Sequence, residues 1–194
     1  MLGRIRKVER DGHRRSSRSA WLARLVIVAS CVSMLGSAAR PGLAGDQFEV
    51  AGFSFTAPSA WVRQPAASAM RKAQFLVPNS GPGFDGIVIF YQFPPGLGGS
   101  AERNIARWYS QFKGPKETLG AKIETREDDG RRLYYFRATG TLMGRDGEMP
   151  GYALHAALLD GPAGRAFVRF VAPKAVARIN EAAFRKLIDG AFGG

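Results

Sequence analysis

The chain has 194 residues, of which 45% are hydrophobic, and this is enough for one domain with its own core. The formal net charge of +12 would suit a nucleic-acid-binding protein, but the charge is unevenly distributed: residues 1–44 hold nine of the 28 basic side chains and two of the 16 acidic ones. The remaining 19 basic and 14 acidic residues include no cationic block, so nucleic acid is not an expected partner.

Residues 1–44 have the organisation of a secretory signal peptide. A basic, polar segment over 1–24 precedes an apolar run over 25–35, and small residues follow over 36–44. The apolar run is shorter than the ~20 residues of a membrane-spanning helix. The pattern therefore predicts a cleaved export signal.

Three features of the same segment leave alternatives open. Cleavage is expected after Ala44, or alternatively after Ala39, which makes 45–194 the mature domain in the periplasm or outside the cell. Arg14-Arg15 resembles a twin-arginine export signal but also suits an ordinary basic leader. Cys31 follows a lipoprotein-like Val-Ala-Ser sequence, so one alternative is a lipid-anchored envelope protein.

The first predicted elements of the mature segment are strands. Alternation over 48–55 around Ala51-Gly52 predicts a hairpin or a bulged strand, and 73–77 reads as a short strand that ends at Pro78. Residues 86–93 are apolar on both faces, which is typical of a central strand.

A helix is predicted next, beginning after the N-cap residue Ser100. The 3.6-residue period gives it a buried stripe. The stripe consists of Ala101, Ile105, Trp108 and Phe112. A polar row beside it consists of Asn104, Arg107 and Gln111.

The second half of the chain predicts two hairpins and a final helix. Residues 122–127 and 131–142 flank an Asp-Gly turn, and 152–159 and 165–172 flank a second turn, with a polar loop expected over 143–151. The last helix begins at Pro173. Its expected buried face consists of Val176, Ile179, Ala183, Phe184, Leu187 and Ala191.

These elements together predict the fold class. Hairpins imply antiparallel pairing, and two amphipathic helices need a sheet to cover. We expect an α+β domain in which helices pack on an antiparallel sheet.

Catalytic and metal-binding patterns are absent from the mature sequence. It contains His155 as its one histidine, no cysteine and no nucleophile-elbow motif. We therefore expect no catalytic residue, no metal and no cofactor, and His155 is expected to be a hydrogen-bonded sheet residue. The sequence favours a non-enzymatic protein without deciding the question.

The candidate partner- or ligand-binding residues are the polar row of the first predicted helix and an arginine that precedes a predicted strand. They are Arg71, Asn104, Arg107 and Gln111. Trp61 and Trp108 are expected to be core anchors. The alternative is a small-ligand carrier or an enzyme with a pocket near Trp61, Arg71 and Trp108.

Several motifs resemble a group of uncharacterised exported bacterial proteins with the PsbP-like fold. They are Phe55-Thr56-Ala57-Pro58 followed by Trp61, the run 70–75, Gly98-Gly99-Ser100 leading to Asn104, Arg107-Trp108 and Gln111-Phe112, the Gly161-Pro162 turn and the final helix. The resemblance implies a PsbP-like α/β/α sandwich and a binding or accessory role with a protein or envelope partner. It supplies no catalytic residues, and fold does not determine function.

We predict that the exported product begins near Gly45 and carries no lipid. Mass spectrometry of the exported protein tests this prediction. An intact N-terminus, or an acylated Cys31 at the start of the product, would contradict it.

Overall fold

The computed structural model describes residues 45–66, 68 and 70–194. The expected signal segment, with Cys31 and both cleavage positions, lies outside the described residues. No helix within the described ranges is both long enough and apolar enough to span a membrane. The elements, in chain order, are β1 (Asp46–Val50), β2 (Phe53–Ala57), β3 (Val62–Arg63), β4 (Arg71–Val77), β5 (Gly86–Phe93), α1 (Ala101–Tyr109), a 3₁₀ turn (Lys116–Leu119), β6 (Lys122–Asp128), β7 (Arg131–Gly144), β8 (Gly147–Gly161), β9 (Gly164–Pro173) and α2 (Lys174–Phe192).

Seven strands form one antiparallel sheet in the order β3-β4-β5-β9-β8-β7-β6, and β1 and β2 form a separate hairpin. Most neighbours in the sheet are also neighbours in the chain, as hairpins require. The exception is the β5–β9 pair, in which Ile89 lies opposite Arg169. The pairing of β5 with β9 makes β9 the centre of the sheet.

Other elements pack on both faces of this sheet. The face that we call the α2 face packs against α2 and the β1–β2 hairpin, around residues such as Phe75, Phe90 and Phe170. The opposite face, the α1 face, packs against Trp108, Phe112 and the 3₁₀ turn, with Phe136 and Leu158 beneath them. The predicted α+β class, an antiparallel sheet covered by helices, is confirmed.

The predicted hairpins form around turns that need left-handed backbone. Ala51 and Gly52 have φ of 53° and 79°, and Asp129 and Gly130 have φ of 45° and 71°. Two consecutive residues with positive φ match the right-handed twist of the flanking strands, so glycine is favoured at the second position. The two turns therefore follow directly from the local sequence.

The N-cap prediction for α1 is also confirmed. The Ser100 hydroxyl accepts a hydrogen bond from the Arg103 N–H at 3.3 Å. The helix itself ends at Tyr109, and Phe112 lies beyond it, paired with Leu142 as an isolated bridge. Phe112 is still buried, so the stripe continues past the end of the helix.

The polar loop predicted over 143–151 is wrong. β7 extends to Gly144 and β8 begins at Gly147, so only Arg145 and Asp146 connect them. Glycine and charged residues suggested a loop because this end of the ribbon is largely exposed on both sides. Strand pairing there relies on backbone hydrogen bonds and not on an apolar pattern.

One residue assigned to the buried face of α2 is exposed. Ile179 has 70% of its surface exposed, whereas Ala177 and Ile188 are buried. The buried stripe of α2 is therefore rotated toward Ala177 and Ile188, and the predicted face was right at Val176, Phe184, Leu187 and Ala191.

Trp108→Ala should lower the free energy of unfolding by about 3–5 kcal/mol, because it removes a ring that is 3% exposed and packs on Phe136. Ile179→Ala, at an exposed position of the other helix, should change it by less than about 0.5 kcal/mol. Denaturant unfolding of both variants measures the difference. Equal losses would mean that the core is not distributed as described.

Candidate binding surface

The polar row of α1 divides into a buried and an exposed part. Asn104 is 5% exposed, and its amide nitrogen donates to the carbonyl oxygens of Gly98 and Ser100, both at 2.8 Å. This amide holds the turn that precedes the helix. Asn104 is one of the candidate binding residues of the sequence, and the structure buries its side chain against the loop before the helix.

Gln111 connects the end of the helix to the sheet. Its amide nitrogen donates to the carbonyl oxygen of Arg107 at 3.2 Å, and its amide oxygen accepts a hydrogen bond from the Arg169 guanidinium. The Arg107 side chain is exposed. Of the predicted polar row, Gln111 is therefore the residue that contacts Arg169.

Arg169 lies near the centre of β9, on the α1 face, with Ile89 opposite it on β5 and Ala156 opposite it on β8. Its Nε atom is buried without a hydrogen-bond partner among the described residues. A guanidinium has five N–H donors, and an unpaired buried donor is costly. Among the described residues, Arg169 is the one that has a buried side-chain nitrogen or oxygen atom without a hydrogen-bond partner.

Arg71 lies close to Arg169 on the same face. Its Nη1 donates to the Gln74 amide oxygen at 2.6 Å, and its guanidinium carbon is 6.0 Å from the centre of the Tyr91 ring. We call the residues Arg71, Gln74, Tyr91, Gln111 and Arg169 the arginine surface. The structure thus brings together two of the predicted site residues, Arg71 and Gln111, which are 40 positions apart in the sequence.

The two arginines of this surface have only neutral partners within the described part of the chain. Both donate to amide oxygens, and no described carboxylate lies within salt-bridge distance of either. Burial lowers the pKa of the Arg169 guanidinium, Tyr91 opposes this shift, and the nearby positive charge of Arg71 adds to it. The surface therefore has the electrostatics of a site that favours an anion.

The sheet beside the arginine surface is partly uncovered. Leu76 and Ile87 pair across β4 and β5 on the α1 face and are half-buried. They are not members of the core beneath Trp108, which lies over β7, β8 and β9. The two cations therefore border a patch of apolar sheet.

The alternative pocket near Trp61, Arg71 and Trp108 does not form. Trp61 packs near Phe170 in the α2-face core, and Trp108 packs on Phe136 in the α1-face core. The sheet separates the two rings, so they cannot line one cavity. Both tryptophans are core anchors, as expected.

His155 is the hydrogen-bonded sheet residue that the sequence predicted. It is 4% exposed, and its Nδ1 lies 3.1 Å from the Tyr135 hydroxyl on the neighbouring strand. Burial lowers the pKa of His155 to about 4, with the Arg137 charge acting in the same direction and the Glu181 charge opposing them. His155 is therefore neutral at physiological pH and poorly suited to act as a general base there.

Sequence reasoning missed Arg169, although a signal was present. Residues 165–172 alternate around arginines at 165 and 169 in an otherwise apolar strand. A charge in the middle of such a strand costs energy unless it is paired or functional. Arg165 is paired, since it contacts Asp160 at 2.6 Å, and Arg169 is not.

Within the described ranges, no group of three or more histidine, cysteine, aspartate or glutamate residues is arranged to hold a metal ion.

Comparison with known proteins shows the fold. The solution structure of cyanobacterial PsbP (CyanoP) from Synechocystis sp. PCC 6803 matches with a TM-score of 0.50 and 17% identity, covering 80% of this chain and 96% of that one. A Pseudomonas aeruginosa protein of unknown function, PA94, matches with a TM-score of 0.43 and 13% identity, covering 75% of this chain and 94% of that one. No family model matches the chain, and no curated protein matches it. The PsbP-like fold implied by the sequence motifs is thus confirmed by the first structure, as a likeness of fold alone.

The buried histidine predicts a pH dependence of stability. Because the pKa of His155 is lower in the folded chain than in the unfolded one, its contribution is complete above about pH 6.5 and is lost as the pH falls toward 4. The loss should be roughly 2–3 kcal/mol over this range, a figure that follows from the size of the pKa difference.

Denaturant unfolding at pH 7 and pH 4.5 measures this dependence, and the His155→Gln variant provides the comparison. Carboxylates that titrate in the same range affect both proteins equally. The variant should therefore lose less stability than the wild type between pH 7 and pH 4.5. Equal losses would contradict the lowered pKa of His155.

Proposed function

We propose that this chain is an exported, non-enzymatic binding domain that docks a protein partner on the arginine surface. The observation that carries the proposal is the largely buried guanidinium of Arg169, whose described hydrogen-bond partner is a neutral amide. A buried charge without a counter-ion is unfavourable, and an incoming carboxylate would relieve the cost. The partner that fits best presents an Asp or Glu side chain.

The apolar sheet beside the arginines supports a protein as the partner. Leu76 and Ile87 are half-buried next to the charged groups, so an occupant would bury apolar area around a central ion pair. Protein interfaces commonly combine an arginine or aromatic anchor with such a surround. Tyr91 supplies the aromatic member here.

Export remains part of the proposal and is supported by the organisation of residues 1–44 in the sequence. A lipid on Cys31 would change only how the domain is held at the envelope. The arginine surface and its partner would be the same in either case.

Crosslinking capture from envelope extracts tests the proposal, with the full chain as bait. Arg169→Met keeps much of the length of the side chain and removes the charge, so we expect it to lose the captured partner. It should leave the free energy of unfolding unchanged or raise it, because replacing an unpaired buried charge by an apolar side chain removes a desolvation cost.

Arg103→Ala provides the matched control. Arg103 is exposed on α1, and the substitution removes one positive charge outside the arginine surface. Capture that survives Arg103→Ala and is lost in Arg169→Met supports the proposal. Equal capture by the wild type and both variants would overturn it, as would an unfolded Arg169→Met protein, which would make Arg169 a structural residue.

A further inference from the structure

A second feature, independent of the arginine surface, lies on the opposite face of the sheet. A cavity of about 200 Å³ opens between the N-terminal half of α2 and the strands β6, β7 and β8. Its lining includes Lys122, Thr139 and His155 from the strands and Lys174 and Arg178 from the helix. This volume is below the range of drug-sized pockets, so it suits a small ligand.

The charges around this cavity are strongly unbalanced. Four basic side chains line it, and Glu181 is the one acidic residue that does. Glu181 is already bound by Arg137, one of the four. The domain as a whole has 19 basic and 14 acidic residues, so the local excess of positive charge is not a consequence of composition.

The three other cations have no carboxylate within salt-bridge distance among the described residues. They are Lys122, Lys174 and Arg178. They come from the two sides of the opening, since Lys122 begins β6 and the other two lie in the first two turns of α2. The cavity therefore has positive charge on both walls.

The start of α2 adds to this potential. The helix begins at Lys174, its N-cap residue Pro173 provides no side-chain hydrogen bond, and its first turn contains no acidic residue. The free N–H groups of a helix start carry partial positive charge and favour an anion. Here that end lies on the same wall as Lys174 and Arg178.

Neutral hydrogen-bonding groups complete the lining. Thr139 contributes a hydroxyl, and His155 contributes its imidazole. The Tyr135 hydroxyl lies 3.1 Å from the Nδ1 atom of that ring. The hydroxyl, ammonium and guanidinium groups of the lining are donors of the kind that bind oxyanions.

We infer that this cavity binds a small oxyanion with two negative charges, of the phosphate or dicarboxylate type. The excess of cations and their position on both walls of the cavity carry the inference. Three positive charges remain along the lining after Arg137 and Glu181 neutralise each other, and a dianion would compensate two of them.

Isothermal titration of the full chain with inorganic phosphate and, separately, with succinate tests the inference. Chloride at matched ionic strength serves as the reference for non-specific ion effects. We expect one of the two probes to bind with a stoichiometry of one, and the one that binds distinguishes a phosphate ligand from a dicarboxylate.

The double variant Lys174→Ala, Arg178→Ala should weaken this binding by about tenfold or more, because it removes two charge-assisted contacts. The double variant Arg103→Ala, Lys186→Ala removes the same charge at exposed positions outside the cavity lining and should bind within about twofold of the wild type. The basic residues of the segment 1–44 are common to all three proteins, so any binding to them cancels in the comparison.

Thr139→Val provides a variant that preserves volume and should weaken binding without loss of the fold. No binding of either probe, or equal weakening by the two double variants, would overturn the inference. The cavity and the arginine surface lie on opposite faces of the sheet. The result of the anion titration therefore does not affect the test of the proposed partner-binding function.

Discussion

The structure depends on the need to cover both faces of one antiparallel sheet. Seven strands about 4.8 Å apart make a sheet roughly 30 Å wide. On one face, the 19 residues of α2 and the β1–β2 hairpin share the covering. On the other, α1 has nine residues and is therefore about 14 Å long and ~10 Å wide. A helix of this size covers two or three strands, and the rest of the face stays open.

The open part of the α1 face is where the arginine surface lies. A wholly apolar surface at this position would favour self-association, because exposed apolar patches bind one another. Arg71 and Arg169 interrupt the patch with charge, and the polar groups of Gln74 and Gln111 satisfy part of their hydrogen-bonding capacity. The Nε atom of Arg169 is left without a hydrogen-bond partner among the described residues, and this is the feature on which the proposal of an acidic partner rests.

The elements of the fold were largely predictable because they are encoded locally. Ala51-Gly52 and Asp129-Gly130 determine their turns, Ser100 determines where α1 begins, and Pro173 immediately precedes α2. Errors occurred where local pattern and environment disagree. The segment 143–151 has loop-like composition yet pairs as a ribbon, and Ile179 is apolar yet exposed.

The candidate site was predictable only in part, because it depends on contacts between distant residues. The sequence indicated Arg71 and Gln111 separately but could not predict that they lie close together. Arg169, which lies between them in the structure, belongs to β9. That neighbour is set by the β5–β9 pairing, which joins strands about 80 residues apart in the chain. The burial of Asn104 could not be predicted from the helical period either, because its amide turns inward to bind carbonyl groups of the loop before the helix.

The register of β8 and β9 links the two candidate sites, although they lie on opposite faces. In β9, Arg169 points to the α1 face and Phe170 to the α2 face, and in β8 their partners are Ala156 and His155. A slip of one residue would exchange the faces, burying a guanidinium in the α2 core and removing His155 from the cavity.

The turn between β8 and β9 opposes such a slip. Gly164 has a φ of +125°, and a Cβ atom there would lie 2.4 Å from the carbonyl oxygen of Phe93. Glycine is therefore required for β9 to begin at this position beside the end of β5. A backbone constraint at one end of the strand thus fixes which face each of its charged and aromatic residues occupies.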